Sequence, residues 1–212
     1  VKTPVREQEE AAFEKRIEFS KLFLAILDGN HPFKLWDTYG PAGGFTSWVC
    51  SRLKIPYGTS SCKIIFRDKK GNIILKSYHQ HGSRTISTVA DDPIRRWSNM
   101  KLSLKRHLKM MSGDCILACE GHTHKIITVK PQKDLYLVDD GEKIVQKYTR
   151  APSSHPTGFI HYDHRWYANT GSFLKLYADN DDNISGYAER AGYDPLELGF
   201  VVARVRDRWV AG

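Results

Sequence analysis

The apolar run Cys115-Ile116-Leu117-Ala118-Cys119 leads into Gly121-His122-Thr123-His124. A strand that delivers two histidines, two positions apart, onto a glycine-bearing turn can aim both imidazoles at one group of metal ions. Imidazole nitrogen suits Zn, Mn, Fe, Co and Ni, and a residue without a Cβ lets the backbone turn sharply. Two other segments share the arrangement. Phe23-Leu24-Ala25-Ile26-Leu27 ends in Asp28-Gly29-Asn30-His31, and Ile73-Ile74-Leu75-Lys76-Ser77-Tyr78 ends in His79-Gln80-His81-Gly82. Three strand-like segments therefore terminate in His beside Asn or a second His, with Gly close by. Ligands of open α/β sheets bind just beyond the carboxyl ends of strands, so the pattern points to metal ligation there.

The order Gly29-Asn30-His31, His81-Gly82, Gly121-His122-Thr123-His124 resembles that of the calcineurin-like metallophosphoesterases. The segments Arg52–Tyr57, His81–Thr85 and Trp166–Phe173 look like those of phage and prokaryotic members, and the resemblance runs from about Leu24 onward. One departure stands out. The family's first two motifs, an Asp-x-His and then a Gly-Asp, belong upstream of Gly29. No Asp-x-His occurs in the sequence, and its single Gly-Asp, Gly113-Asp114, opens the strand before His122. The expectation is that an N-terminal portion carrying those motifs is absent from this sequence, which begins with Val.

The resemblance implies hydrolysis of phosphomono- or phosphodiester bonds by water activated with two divalent ions (Mn, Fe, Zn or Ni). It gives Asn30, through its amide oxygen, and His81 and His122 to one ion, and His124 to the other. Those ligands are all neutral, so weak metal binding and little or no activity are expected of this chain alone. His31 would protonate the leaving group, a task suited to a side chain with an ordinary pKa near 6.5. Family members often carry Glu or Asp where this chain has Pro32. Arg84 would hold a substrate phosphate oxygen, since a guanidinium fork matches phosphate geometry. The competing expectation is a degenerate member that keeps the fold and binds nucleic acid or protein without hydrolysis.

Blander readings stand beside these. Asn30 suits a turn, because Asn tolerates the left-handed conformation. His79 would share a strand face with His81, but only His81 precedes Gly82. His161 and His164 flank Asp163 and are explained by a polar loop. Asn169–Ser172 reads as a structural strand-to-turn segment.

The elements that must position these residues follow from periodicity. Glu7–Leu22 reads as a helix with an imperfect stripe of Ala12, Phe13 and Ile17, feeding a strand at Phe23–Leu27. Pro32–Gly44 is loop-like. Phe45, Trp48, Val49 and Leu53 recur at helical spacing before Pro56. Cys62–Phe66 and Ile73–Tyr78 flank Asp68-Lys69-Lys70-Gly71-Asn72 as a hairpin. A helix is expected over Pro93–Met111, then strands at Cys115–Cys119, Ile126–Val129, Leu135–Val138, Ile144–Tyr148, Arg165–Ala168 and Phe200–Val205, with a polar loop over Ala151–Gly158. The class is α/β. The resemblance implies one domain over residues 1–212, a two-sheet sandwich flanked by helices and incomplete at the N-terminus.

Composition is that of a globular chain, 41% hydrophobic and 26% charged. Lys+Arg 32 against Asp+Glu 24 gives a formal charge of +8. A positive field concentrates anionic ligands, which fits phosphate esters, nucleotides or nucleic acid, though it also serves solubility. Cys50, Cys62, Cys115 and Cys119 form no Cys-x-x-Cys pair, and a reducing, cytoplasmic setting is expected. No apolar stretch approaches the ~18 residues of a spanning helix, so no membrane partner is expected.

Overall fold

The computed structural model describes residues 5–31, 34, 44–86, 89–149, 158–174 and 187–205. The chain groups into two compact units, Val1–Ile64 with His79–Ser83, and Ile65–Tyr78 with Arg84–Gly212. The class is mixed α/β. Among the described residues no helix is long and apolar enough to cross a membrane.

In the first unit, α1 (Val5–Ile17) and α2 (Phe45–Leu53) share a small apolar cluster. Val49 and Leu53, four apart, fall on one face of α2 and pack with Ile55, and Phe13, Ile26, Phe45 and Trp48 close around them. The Phe13 and Trp48 rings meet edge-on at 6.2 Å, and the Arg52 guanidinium lies 4.1 Å from the Phe13 centroid. The helix stops where Lys54 turns left-handed at φ 56, two residues before Pro56.

The strand expected at Phe23–Leu27 does not form. A 3₁₀ turn at Ser20–Leu22 is followed by one isolated parallel bridge between Ile26 and Tyr57. The reason lies in the partner segment. Pro56 has no N–H to give, and Thr59 adopts φ 53, so a regular ladder cannot propagate along it.

A five-stranded sheet has the order β1 (Ser61–Arg67), β2 (Ile73–Gln80), β3 (Leu117–Glu120), β7 (Trp166–Thr170), β4 (Ile126–Val129), the last three strands lying in the second unit. β1 and β2 form the expected hairpin, its turn held by Asp68, whose carboxylate accepts the Lys70 and Asn72 N–H groups. β3 runs parallel to β7 and β4 antiparallel to it. Helix α3 (Pro93–Leu108) is capped by Asp92, whose Oδ1 accepts the Arg95 N–H at 2.6 Å, with Pro93 in the first turn. Its Leu104 and Leu108 are fully buried in a core with Ile86, Ala118, Ile127 and Tyr167. β5 (Leu135–Asp139) and β6 (Ile144–Tyr148) pair as a separate hairpin, and α4 is the single turn Tyr187–Arg190.

The late strand expected over Phe200–Val205 is irregular instead. Gly199 donates to the Ser172 carbonyl at 3.0 Å. The chain then runs beside an apolar groove of about 720 Å³ lined by Leu117, Trp166, Val201 and Val205, without joining a ladder. The loops expected over Pro32–Gly44 and Ala151–Gly158 fall largely outside the described residues.

Candidate metal centre

Asn30 and His81, 51 residues apart, meet in the first unit with Asn30 Oδ1 3.0 Å from His81 Nε2. The strip Pro56–Ser60 brings them together. Ile26 N–H donates to the Pro56 carbonyl, Gly58 N–H to Ile26, and Asp28 N–H to Thr59, which fixes the chain leading into Asn30. The next carbonyl along, Ser60, accepts the His81 N–H at 2.9 Å. The Tyr57 hydroxyl donates to the Asp28 carboxylate, and that hydrogen bond pushes the phenol up to about 12. Gly29 packs closely against His81. A Cβ there would stand 3.2 Å from His81 Cε1, so any larger residue presses on the imidazole.

An amide oxygen and an imidazole nitrogen are both atoms of types that can ligate a cation. Two ligands bound at about 2.1 Å lie roughly 3.0 Å apart in an octahedral shell and about 3.4 Å apart in a tetrahedral one. The first spacing is also that of an ordinary Nε2–H···Oδ1 hydrogen bond, so binding at this pair displaces a proton from His81. His79, the neighbour on β2, is set apart from the pair by its environment: burial holds its imidazole below its usual pKa. His31 follows Asn30 in helical backbone and is exposed.

In the second unit, His122 and His124 occupy the connection from β3 to β4, and both have positive φ, 66 and 56. Such values are uncommon for residues with a Cβ and cluster at functional sites. Thr123 N–H donates to the Gly121 carbonyl at 2.8 Å. An i+2 to i bond around a residue at positive φ is the pattern of the rare, strained γ-turn. Asn169 on β7 lies beneath this loop, 0% exposed, and its Nδ2 donates to the Gly121 carbonyl (3.1 Å) and the Thr123 hydroxyl (2.7 Å). Its Oδ1 is buried with no partner among the described residues. Gly171 N–H ties the far end of the loop through the Lys125 carbonyl at 3.1 Å. The His124 ring lies edge-on to Tyr193 at 6.3 Å.

Sequence reasoning missed two residues here. Asn169 was legible only as the end of a strand, since nothing local says which loop lies over it. Glu120, 1% exposed, closes β3 directly before Gly121, and its Oε1 is 3.0 Å from His107 Nδ1 on α3. A lone acid ending an apolar strand was the available signal.

Arg84 is exposed in the second unit. The His161–His164 segment behaves as a polar turn: His161 Nδ1 accepts the Asp163 N–H, Lys105 pairs with Asp163, and His164 lies 3.5 Å from Asp134. The four cysteines are free, and burial pushes the Cys119 thiol up to about 12, as befits core packing. Among the described residues no group of three or more His, Cys, Asp or Glu side chains is arranged to hold a metal ion. The Asn30–His81 contact, 3.0 Å, is a pair of side chains and not a cluster of that kind. No family model matches the chain, and no curated protein or solved structure matches it either.

Proposed function

We propose that this chain belongs to a metal-dependent phosphoesterase of the calcineurin-like type, built on that family's two-sheet fold. The observation that carries the reading is the Asn30–His81 contact, which joins two separate sequence motifs in the order that family has them. The positive φ of both His122 and His124 adds support, since strained backbone at a histidine pair is unusual without a task.

In this reading Asn30 Oδ1 and His81 Nε2 would hold one divalent ion, and His122 and His124 would serve as further ligands. When bound, two such ions supply activation of the attacking water and neutralise charge on the phosphoryl oxygens. The protein's own groups do the rest. Arg84 orients a phosphoryl oxygen through its guanidinium. As water oxygen bonds to phosphorus and the P–O bond to the leaving group breaks, an imidazole N–H of His31 protonates the departing oxygen. The proton released by the attacking water restores His31 through solvent, to which this side chain is open. A phosphodiester thus becomes a phosphomonoester and an alcohol.

Hydrolysis of bis-p-nitrophenyl phosphate with added Mn²⁺ or Ni²⁺ tests this. The family's carboxylate ligands come from Asp-x-His and Gly-Asp motifs, so the chain as given should turn over little, and a form carrying those motifs should be active. In the active form His122→Ala should remove most turnover. His31→Ala should slow poor leaving groups more than p-nitrophenolate. Absence of metal-dependent hydrolysis in both forms contradicts the reading; robust turnover by the chain as given would show the ligands to be misassigned.

A second reading, a nucleic-acid-binding module without hydrolysis, is favoured by α3. Arg95, Arg96, Lys101, Lys105 and Arg106 lie on this helix without an acidic residue among them, and Arg95 and Arg106 are exposed. Salt-sensitive binding of a single-stranded oligonucleotide, weakened by Arg95→Glu with Arg106→Glu, supports it. Salt-insensitive or absent binding argues against it.

A further inference from the structure

We propose that Asn169 is a positioning residue, whose side-chain amide holds the β3–β4 connection in the strained form that directs His122 and His124. The geometry of the proposal rests on hydrogen bonds alone. Its consequence for metal affinity rests on the reading of those histidines as ligands.

The sheet topology creates the need. β7 lies between β3 and β4, so the chain leaving Glu120 must cross the end of β7 before it can pair again at Ile126. Asn169 sits at that crossing, level with Glu120 on one side and Ile127 on the other. Its Nδ2 carries two protons, and both are used, one on the Gly121 carbonyl and one on the Thr123 hydroxyl. The amide cannot be turned over, because Oδ1 would then face a carbonyl that only accepts. The Gly121 carbonyl also takes the Thr123 N–H, so its two acceptor sites are both filled and the turn around His122 is closed.

With both donors spent on the carbonyl before His122 and the hydroxyl after it, the Asn169 side chain acts on the turn that carries the two positive-φ histidines. Aspartate has nearly the same shape but presents oxygen to the Gly121 carbonyl. Asn169→Asp therefore removes the hold while keeping the volume.

The test uses the full 212-residue chain in three variants. Asn169→Asp breaks the hold, Thr123→Val removes one of its two acceptors, and Ile127→Val perturbs the core at the adjacent register position. Backbone coupling constants for His122 and His124, measured without metal, report whether φ stays positive. Calorimetric titration with Mn²⁺ alone reports affinity. Asn169→Asp should abolish the positive-φ signature at His122 and weaken Mn²⁺ binding by about 10–100-fold, the usual effect of losing a ligand's supporting hydrogen bonds. Thr123→Val should shift both in the same direction by less. Ile127→Val should lower the melting temperature and change neither. If Asn169→Asp fails to fold, Thr123→Val decides. Unchanged couplings in whichever of these two variants folds would overturn the proposal, as would equal effects from Ile127→Val. Altered couplings in a chain whose wild type binds no Mn²⁺ would uphold the positioning role and reject the metal reading instead.

Discussion

Asn30 and His81 illustrate what single residues disclose. Their types and neighbouring glycines suggested ligands in the sequence, and in the structure Asn30 Oδ1 and His81 Nε2 lie at hydrogen-bonding distance, 3.0 Å. Gly29 gains a physical reason in close approach to the imidazole, which spacing alone could not supply. Asn169 and Glu120 were harder to read for the opposite cause: one acts on the β3–β4 connection and the other on His107 of α3, and such distant partners are not encoded beside a residue. Tyr167 shows the same dependence on burial. Its hydroxyl donates to the Tyr162 carbonyl at 2.8 Å, and desolvation pushes its phenol from the ordinary 10.0 up to about 12. A folded-state pKa raised in this way contributes stability that is complete below pH 10 and lost as pH rises toward 12. Denaturant midpoints measured from pH 9 to 12 should therefore fall less steeply for Tyr167→Phe than for the wild type. Parallel slopes would show that Tyr167 titrates as it does in the unfolded chain.

Among the elements, helices and hairpins were the legible part. α2, α3 and the β1–β2 hairpin have strong local signals: apolar spacing of three and four, the Asp92-Pro93 start, and a turn-forming run at Asp68–Asn72. The two strands that failed, Phe23–Leu27 and Phe200–Val205, are apolar runs whose strand character depended on a partner. One meets a segment interrupted by Pro56, and the other is preceded by a bond from Gly199 to Ser172, just past the end of β7. Gly171 belongs to this scale, because it joins β7 to that segment. It has φ 80, and a Cβ there would collide with the Gly199 carbonyl oxygen and come within 2.8 Å of Ile126 Cγ1. Gly171→Ala should destabilise the chain by more than the ~1 kcal/mol typical of a substitution, since strain and overlap add. It should also free the β3–β4 connection by loosening the Lys125 tie. Urea unfolding measures the first effect and amide exchange at Gly171 the second; an unchanged midpoint would show that the segment near Gly199 moves aside without penalty.

At the scale of the whole molecule, a formal charge of +8 suits a protein that meets phosphate esters, and it raises the local concentration of anions without choosing among them. The two compact units each hold part of the motif set, Asn30 and His81 in one, His122 and His124 in the other. The account stands or falls on whether the best-defined of these, the Asn30–His81 pair, takes up a cation. Calorimetric titration of the 212-residue chain with Mn²⁺ near pH 7.5 measures this directly, with His81→Ala, Asn30→Ala and His79→Ala as variants. The account predicts weak but saturable binding that falls at least a further tenfold in His81→Ala and clearly in Asn30→Ala, with His79→Ala close to the wild type. Absence of saturable binding, or binding that survives His81→Ala and disappears in His79→Ala, would contradict it.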